Sequence, residues 1–135
     1  MRKILIISSM LMMSFAVSAQ EAETCANGAG TVITGAVTGH KYCKSNGTMN
    51  WWNAHAWCDA LGRRLFDRSD CACGNTTADC ANGKCPELVG VGGEQWIWTS
   101  TPTPTGSSYA YIVSLSSGHI VDNYYRSNLF SAFCY

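Results

Sequence analysis

Residues 50–65 read NWWNAHAWCDALGRRL, with Trp51, Trp52, His55, Trp57 and Cys58 crowded together. Such a cluster can be a catalytic centre, a binding face or the inside of a fold, and spacing decides among them. Ala54, Cys58, Leu61 and Leu65 fall at i, i+4, i+7 and i+11, and Trp51 precedes Ala54 by three. That is one apolar stripe of an α-helix. Asn50 can cap it, because its side-chain oxygen can accept from the free amides of the first turn. Gly62 stands where a left-handed residue ends a helix. The stripe reads as core, with Trp52 and Trp57 at its edges. Burying aromatic rings stabilises at about 25 cal/mol per Å² of apolar area.

Upstream, the chain opens MRKILIISSMLMMSFAVSAQ. Arg2 and Lys3 precede an apolar run, and Val17-Ser18-Ala19 ends it in small residues, the layout of a secretory signal peptide cleaved after Ala19. The run is short for a bilayer span, which needs about 20 apolar residues. The expected mature chain, residues 20–135, suffices for one domain and one modest core. Without Arg2 and Lys3, seven basic residues face nine acidic ones, a net charge of −2. No basic patch or charge run appears, which argues against nucleic acid and anionic membranes as partners.

Cys25, Cys43, Cys58, Cys71, Cys73, Cys80, Cys85 and Cys134 all lie in the mature part. An even number in a small exported domain predicts disulfides. Residues 25–43 are rich in Gly, Thr and Val, as in a hairpin, which Cys25–Cys43 would close. Residues 69–93 carry Cys71, Cys73, Cys80 and Cys85 with many glycines and little periodicity. They read as a loop held by its own crosslinks rather than by a core. Residues 95–101, QWIWTST, read as a buried strand, and the prolines at 102 and 104 mark a turn or loop. Residues 109–121, YAYIVSLSSGHIV, read as two strands about the turn Ser116-Ser117-Gly118, and Phe133-Cys134 as a last buried strand.

The helix, written W-x-x-A-x-x-x-C-x-x-x-G-x-x-L from Trp51 to Leu65, resembles the first helix of the C-type lectin-like family. Trp96-Ile97-Trp98 looks like that family's central strand. The resemblance covers residues 25–135. It implies an α+β fold with a helix packed on small antiparallel sheets, and it implies a bond from Cys58 to Cys134 in the final strand. An amino-terminal hairpin closed by its own disulfide also occurs in the family's longer members. The pattern WTST…YAYIVSLSSGHI…FCY is similar to bacterial branches, among them surface adhesin domains and the variable proteins of diversity-generating retroelements.

Departures from the family pattern bear on function. Sugar-binding members hold calcium through a loop E-P-N or Q-P-D and a later W-N-D, since a hard cation needs carboxylate and amide oxygens. Here the proline loop, residues 101–105, has no carboxylate, and no tryptophan precedes Asp122 and Asn123. Calcium-dependent sugar binding there is not expected. The family's second inner disulfide is missing as well, so the four loop cysteines are expected to pair among themselves. A four-thiolate zinc site is disfavoured in an exported chain that lacks a C-x-x-C knuckle.

No cofactor and no catalytic set is expected. His40, His55 and His119 lack an accompanying nucleophile elbow. Asp67 and Asp70 flank Arg68 and suggest a local turn or ion pair rather than a glycosidase pair. Residues 109–133 instead interleave aromatics with Ser, Asn and Arg. Tyrosine gives stiff amphipathic area and Ser and Asn give adaptable hydrogen bonds, the composition of a paratope. Tyr109, Tyr111, His119, Asn123, Tyr124, Tyr125, Arg126, Asn128 and Phe130 are therefore the candidate ligand-binding residues, with Phe133 as core. Residues 122–133 contain no Lys, Glu, Gln, Met or Trp, as adenine-directed diversification of asparagine codons would leave them.

The sequence thus points to a secreted, periplasmic or surface-exposed domain that recognises a protein or glycan ligand at a cell surface. Two alternatives are a cysteine-rich structural or inhibitory module acting through residues 71–85, and a secreted hydrolase.

Overall fold

The Thr- and Val-rich start forms the expected hairpin. Strand β1 (Gly30–Thr34) pairs antiparallel with β2 (Lys41–Met49), and Cys25 is bonded to Cys43. The computed structural model describes residues 25–73, 80, 82–103 and 106–135; the expected signal peptide, residues 1–19, lies outside them. Helix α1 (Trp51–Ala60) follows β2 directly. Asn50 caps it, its side chain accepting from Asn53 N at 2.9 Å, and Gly62 beyond the last turn has φ +69°. A side chain at that angle would be strained, so glycine is the natural stop.

Four more strands complete a mixed sheet. They are β3 (Trp96–Pro102), β4 (Tyr109–Ser114), β5 (Ile120–Tyr125) and β6 (Phe130–Cys134), in the spatial order β1-β2-β6-β3-β4-β5. All pairings are antiparallel except β3 with β6, which run parallel and meet at Ile97 and Ser131. Beyond that point residues 64–66 fill the gap between them: Phe66 N donates to Phe133 O at 2.8 Å, and Ser100 N donates to Phe66 O at 2.8 Å. The result is a small, sheet-rich α+β domain with one α-helix among the described residues and four disulfides.

Strand alternation sends side chains to two cores. On the helix side Ala54, Cys58, Leu65, Trp98, Ala110, Ile112 and Ala132 pack together. The cystines there lie side by side, because Cys43 and Cys134 are register partners across β2 and β6, and Cys134 is bonded to Cys58. On the opposite face Tyr42, Phe66, Ile97, Val113, Leu115 and Phe133 pack against Cys71, Cys85 and Leu88.

Several expectations need correction. The 69–93 segment is crosslinked by Cys71–Cys85 and Cys73–Cys80, as a self-paired loop should be, but it also supplies core: Cys71, Cys85 and Leu88 are fully buried. It holds two 3-10 turns, Arg68–Cys71 and Pro86–Leu88, the first closed by a reciprocal capping box between Asp67 and Asp70. Leu65 is buried, yet beyond the helix end, where it bridges Cys134. Trp52, expected at the edge of the apolar stripe, lies outside it and is 53% exposed. Strand β5 continues through Tyr125, past the expected end at Val121, because its pairing with β4 extends to Tyr109. Pro102 ends β3 as its last residue, where a missing N–H is tolerated.

Candidate functional site

Chain direction brings four segment ends to one end of the domain: the start of α1, the start of β4, the end of β5 and the turn 126–129 before β6. Arg126 pins them together. Its backbone O accepts from Trp51 N at 2.9 Å, and its N donates to Ser108 O at 2.9 Å. Its side-chain Nε donates to Tyr109 O at 2.9 Å, and the guanidinium lies 3.9 Å from the centre of the Trp51 ring. That placement satisfies the cation on a π face while holding the helix start against the sheet.

Around this pin stand rings and an aliphatic residue in contact with solvent. Trp52, Tyr124, Tyr125 and Leu129 are exposed, Tyr125 and Leu129 by 55% and 61%. Tyr125 leans on Tyr109 with ring centres 4.7 Å apart and hydroxyls 3.3 Å apart; that hydrogen bond raises the Tyr109 pKa above its ordinary value. Tyr124 packs edge-on against Phe130 at 5.4 Å, and Phe130 against Trp98 at 5.0 Å. The exposed rings are thus propped from beneath rather than free to swing.

The nine candidate binding residues do not form one surface. Tyr109 and Tyr125 are cross-strand partners on one face of the sheet, whereas Tyr124 is opposite Ala110 on the other. Tyr111 is half-buried against the loop-side core and carries the Arg68 guanidinium 4.7 Å from its ring centre. Phe130 is half-buried support. Asn128 is exposed in the turn; Asn123 lies on β5, its side chain outside the described set. His119 is exposed but bridges Lys84 at the far end of the β4–β5 hairpin, roughly 20 Å of strand from Tyr125. Residues 131–133 are buried, so the outward part of the 122–133 segment stops at Phe130.

Sequence reading missed Trp52 and Leu129. The signal for Trp52 was present: with Ala56 and Asp59 it falls at i, i+4 and i+7, a stripe whose other members are small and charged, and all three are exposed.

Two cavities lie outside the Arg126 cluster, the second of them bordered by Phe130. One, of about 390 Å³, is lined by His40, Tyr42, Ser69, Asp70, Glu87 and Tyr135, among others. Glu87 is fully buried, and it forms no ion pair among the described residues. It accepts from Val37 N at 2.8 Å, Thr38 N at 2.9 Å, Tyr42 Oη at 2.8 Å and the Thr38 hydroxyl. Burial alone would raise its pKa, but these donors outweigh it and hold the carboxyl below its ordinary value. Burial, and then the Glu87 carboxylate, push the Tyr42 hydroxyl well above the usual tyrosine range. His40 stacks on Tyr135 at 4.0 Å, and its buried Nε2 has no hydrogen-bond partner among the described residues. The second cavity, of about 260 Å³, opens where β2, β6 and the start of β3 meet.

Among the described residues no histidine side chain is hydrogen-bonded to a nucleophile or to an orienting carboxylate, and no three metal-ligating side chains gather. His55 rests edge-on against Trp51 at 4.3 Å, and burial lowers its pKa. Asp67 and Asp70, expected as a turn or ion pair, serve as both: Arg64, not Arg68, pairs with Asp70 at 2.7 Å. No described helix is long and apolar enough to cross a membrane. Four disulfides suit an oxidising, extracytoplasmic compartment. No family model matches the chain, and no curated protein matches it.

Proposed function

We propose that this protein is a secreted or surface-exposed, non-catalytic recognition domain of C-type lectin-like fold, binding a protein or glycan ligand at a cell surface without calcium. The observation that carries this reading is that Trp52, Tyr124, Tyr125 and Leu129 are all exposed at the end of the domain that Arg126 pins, with Tyr124 and Tyr125 on the two faces of the β4–β5 edge. Large rings held rigid before binding lose little entropy on contact, and Trp, Tyr and Arg dominate binding energy at protein surfaces. The helix bonded to the last strand through Cys58–Cys134 supports the fold assignment, as that pairing follows from the family resemblance. The scattered histidines favour binding over turnover, since general base catalysis needs a base with its orienting partner.

The test is adhesion of the purified mature chain to intact cells, alongside Trp52→Ala and Tyr125→Ala. Each substitution is expected to weaken binding at least tenfold, a loss of about 1.4 kcal/mol, with unchanged thermal unfolding. Unchanged adhesion in both variants, with loss on exchanging exposed residues of the 71–85 loop, would assign the function to that loop instead.

A further inference from the structure

We propose that the 390 Å³ cavity between the β1–β2 turn and the 3-10 turn Arg68–Cys71 binds a primary alkylammonium, an amine cation carried on an aliphatic stem. None of its lining residues belongs to the exposed aromatic end, so the site stands or falls independently of the recognition reading.

Charge is the first argument. Among the lining residues Glu87 and Tyr42 are fully buried, and the Asp70 side chain is only 9% exposed. Arg64 offsets Asp70 through hydrogen bonds of 2.7 and 2.8 Å. Nothing offsets Glu87, whose partners are all neutral: the N–H groups of Val37 and Thr38 and the hydroxyls of Thr38 and Tyr42. Those donors keep it ionised by holding its pKa down. No lysine or arginine is among the described lining residues. The wall therefore carries one unbalanced negative charge in a partly buried space, where charge is screened less than at a surface.

Hydrogen-bonding capacity points the same way. The hydroxyls of Thr38 and Tyr42 donate to Glu87, and that of Ser69 donates to Asp67. The N–H groups of Gly39 and His40 donate to Gly35 O and Thr38 Oγ1, so none of these donors is left for an anion. Acceptors do remain. His40 Nε2 is buried without a partner among the described residues, which is costly unless something fills the gap. Asp70 accepts from Arg64 twice and from Asp67 N; a carboxylate offers about four sites, so Oδ1 keeps one. Glu87 already accepts four hydrogen bonds and acts by its charge alone.

A primary ammonium brings one positive charge and three N–H donors to that wall. The rings suit it as well. His40 lies edge-on to Tyr42 at 4.7 Å and stacks on Tyr135 at 4.0 Å, and tyrosine faces attract cations, as Arg64 over Tyr135 at 4.1 Å shows. The volume falls in the range of ligand pockets, about 300 to 1,000 Å³, and leaves room for an aliphatic stem against Ala72 and the rings. A free alkylamine and a lysine side chain of a protein share this chemistry.

The experiment titrates the mature chain with n-butylammonium, and with n-butanol and butyrate as neutral and anionic probes of the same stem, following the His40 and Tyr135 ring resonances by NMR. Butylammonium is expected to shift both saturably with a Kd of about 1 mM, and the other two should bind about tenfold more weakly or not at all. His40→Phe keeps a ring on Tyr135 but removes the open acceptor; it should weaken binding about fivefold, read at Tyr135. Arg64→Gln removes a competing cation and frees Asp70, so it should tighten binding about fivefold, an effect in the opposite direction. Nα-acetyl-lysine amide binding as well as butylammonium identifies a protein lysine as the source; markedly weaker binding identifies a free amine. No saturable shift, equal binding of butanol, or an affinity unchanged in either variant overturns the site and leaves His40 Nε2 to an ordered water.

Discussion

Glu87 shows how single residues tie distant pieces of this chain together. Its carboxylate ties the turn at Val37 and Thr38 to the segment following Cys85, and Gly35 has no side chain because a Cβ there would lie 2.4 Å from the Glu87 carboxyl carbon. Glu87→Gln should cost about 1–3 kcal/mol in chemical denaturation, since an amide nitrogen would face donors it cannot accept from. Gly35→Ala should be at least as harmful; equal stability of either variant would remove Glu87 as an organiser. Asp67 makes a second prediction. Burial alone would raise its pKa, but donors from Ser69, Thr101 and Ser100 outweigh it and bring it down from 3.8 to about 2. A carboxyl depressed in the folded state stabilises fully above its unfolded pKa, and that contribution is lost as pH falls through the folded value. Unfolding midpoints should therefore hold steady down to about pH 5 and fall between about pH 4 and 2, and Asp67→Asn should flatten that acid limb. At this scale the sequence was legible where the cause was local. Asn50 and Gly62 act within one helical turn and were readable; Glu87 depends on Thr38, 49 residues away, and was not.

Among the elements, α1 and β6 are joined most firmly. Cys58–Cys134 closes a separation of 76 residues, and both cysteines are fully buried next to the Cys25–Cys43 cystine. Loop-closure entropy for such a span amounts to about 4.5 kcal/mol, and losing a native disulfide in a small exported domain typically costs about 2–5 kcal/mol. The double variant Cys58→Ala/Cys134→Ala should lose stability in that range, read from denaturation midpoints, whereas removing the short Cys73–Cys80 loop should cost less. Equal losses would mean that the long crosslink is not what fixes the helix to the sheet. The helix was legible because apolar residues repeating at the 3.6 period mark a helix with one buried face. The length of β5 was not, because Asp122-Asn123-Tyr124-Tyr125 shows no apolar alternation and is held in the strand by its pairing with β4. The 69–93 loop misled for a related reason: its cystines are themselves buried apolar groups, so a segment without periodicity still fills a core.

Over the described residues, the strand order β1-β2-β6-β3-β4-β5 places β2, from the early part, beside β6, from the late part. That order is set by contacts far apart in sequence, which local patterns do not encode. It has a functional consequence: Trp52 near one end of the described chain and Tyr125 near the other share one end of the domain, though only the second was expected at a binding face. The candidate residues from Tyr109 to Phe130 were recognisable by composition, but composition could not separate outward Tyr125 from supporting Phe130, or detach His119 at the far turn. Hydroxyl-radical footprinting of the mature chain, free and bound to the cell surface it adheres to, tests the central claim most directly. Protection of Trp52, Tyr124, Tyr125 and Leu129 with His119 unchanged is the predicted result. Unchanged oxidation at those four, with protection elsewhere on the domain, would contradict it.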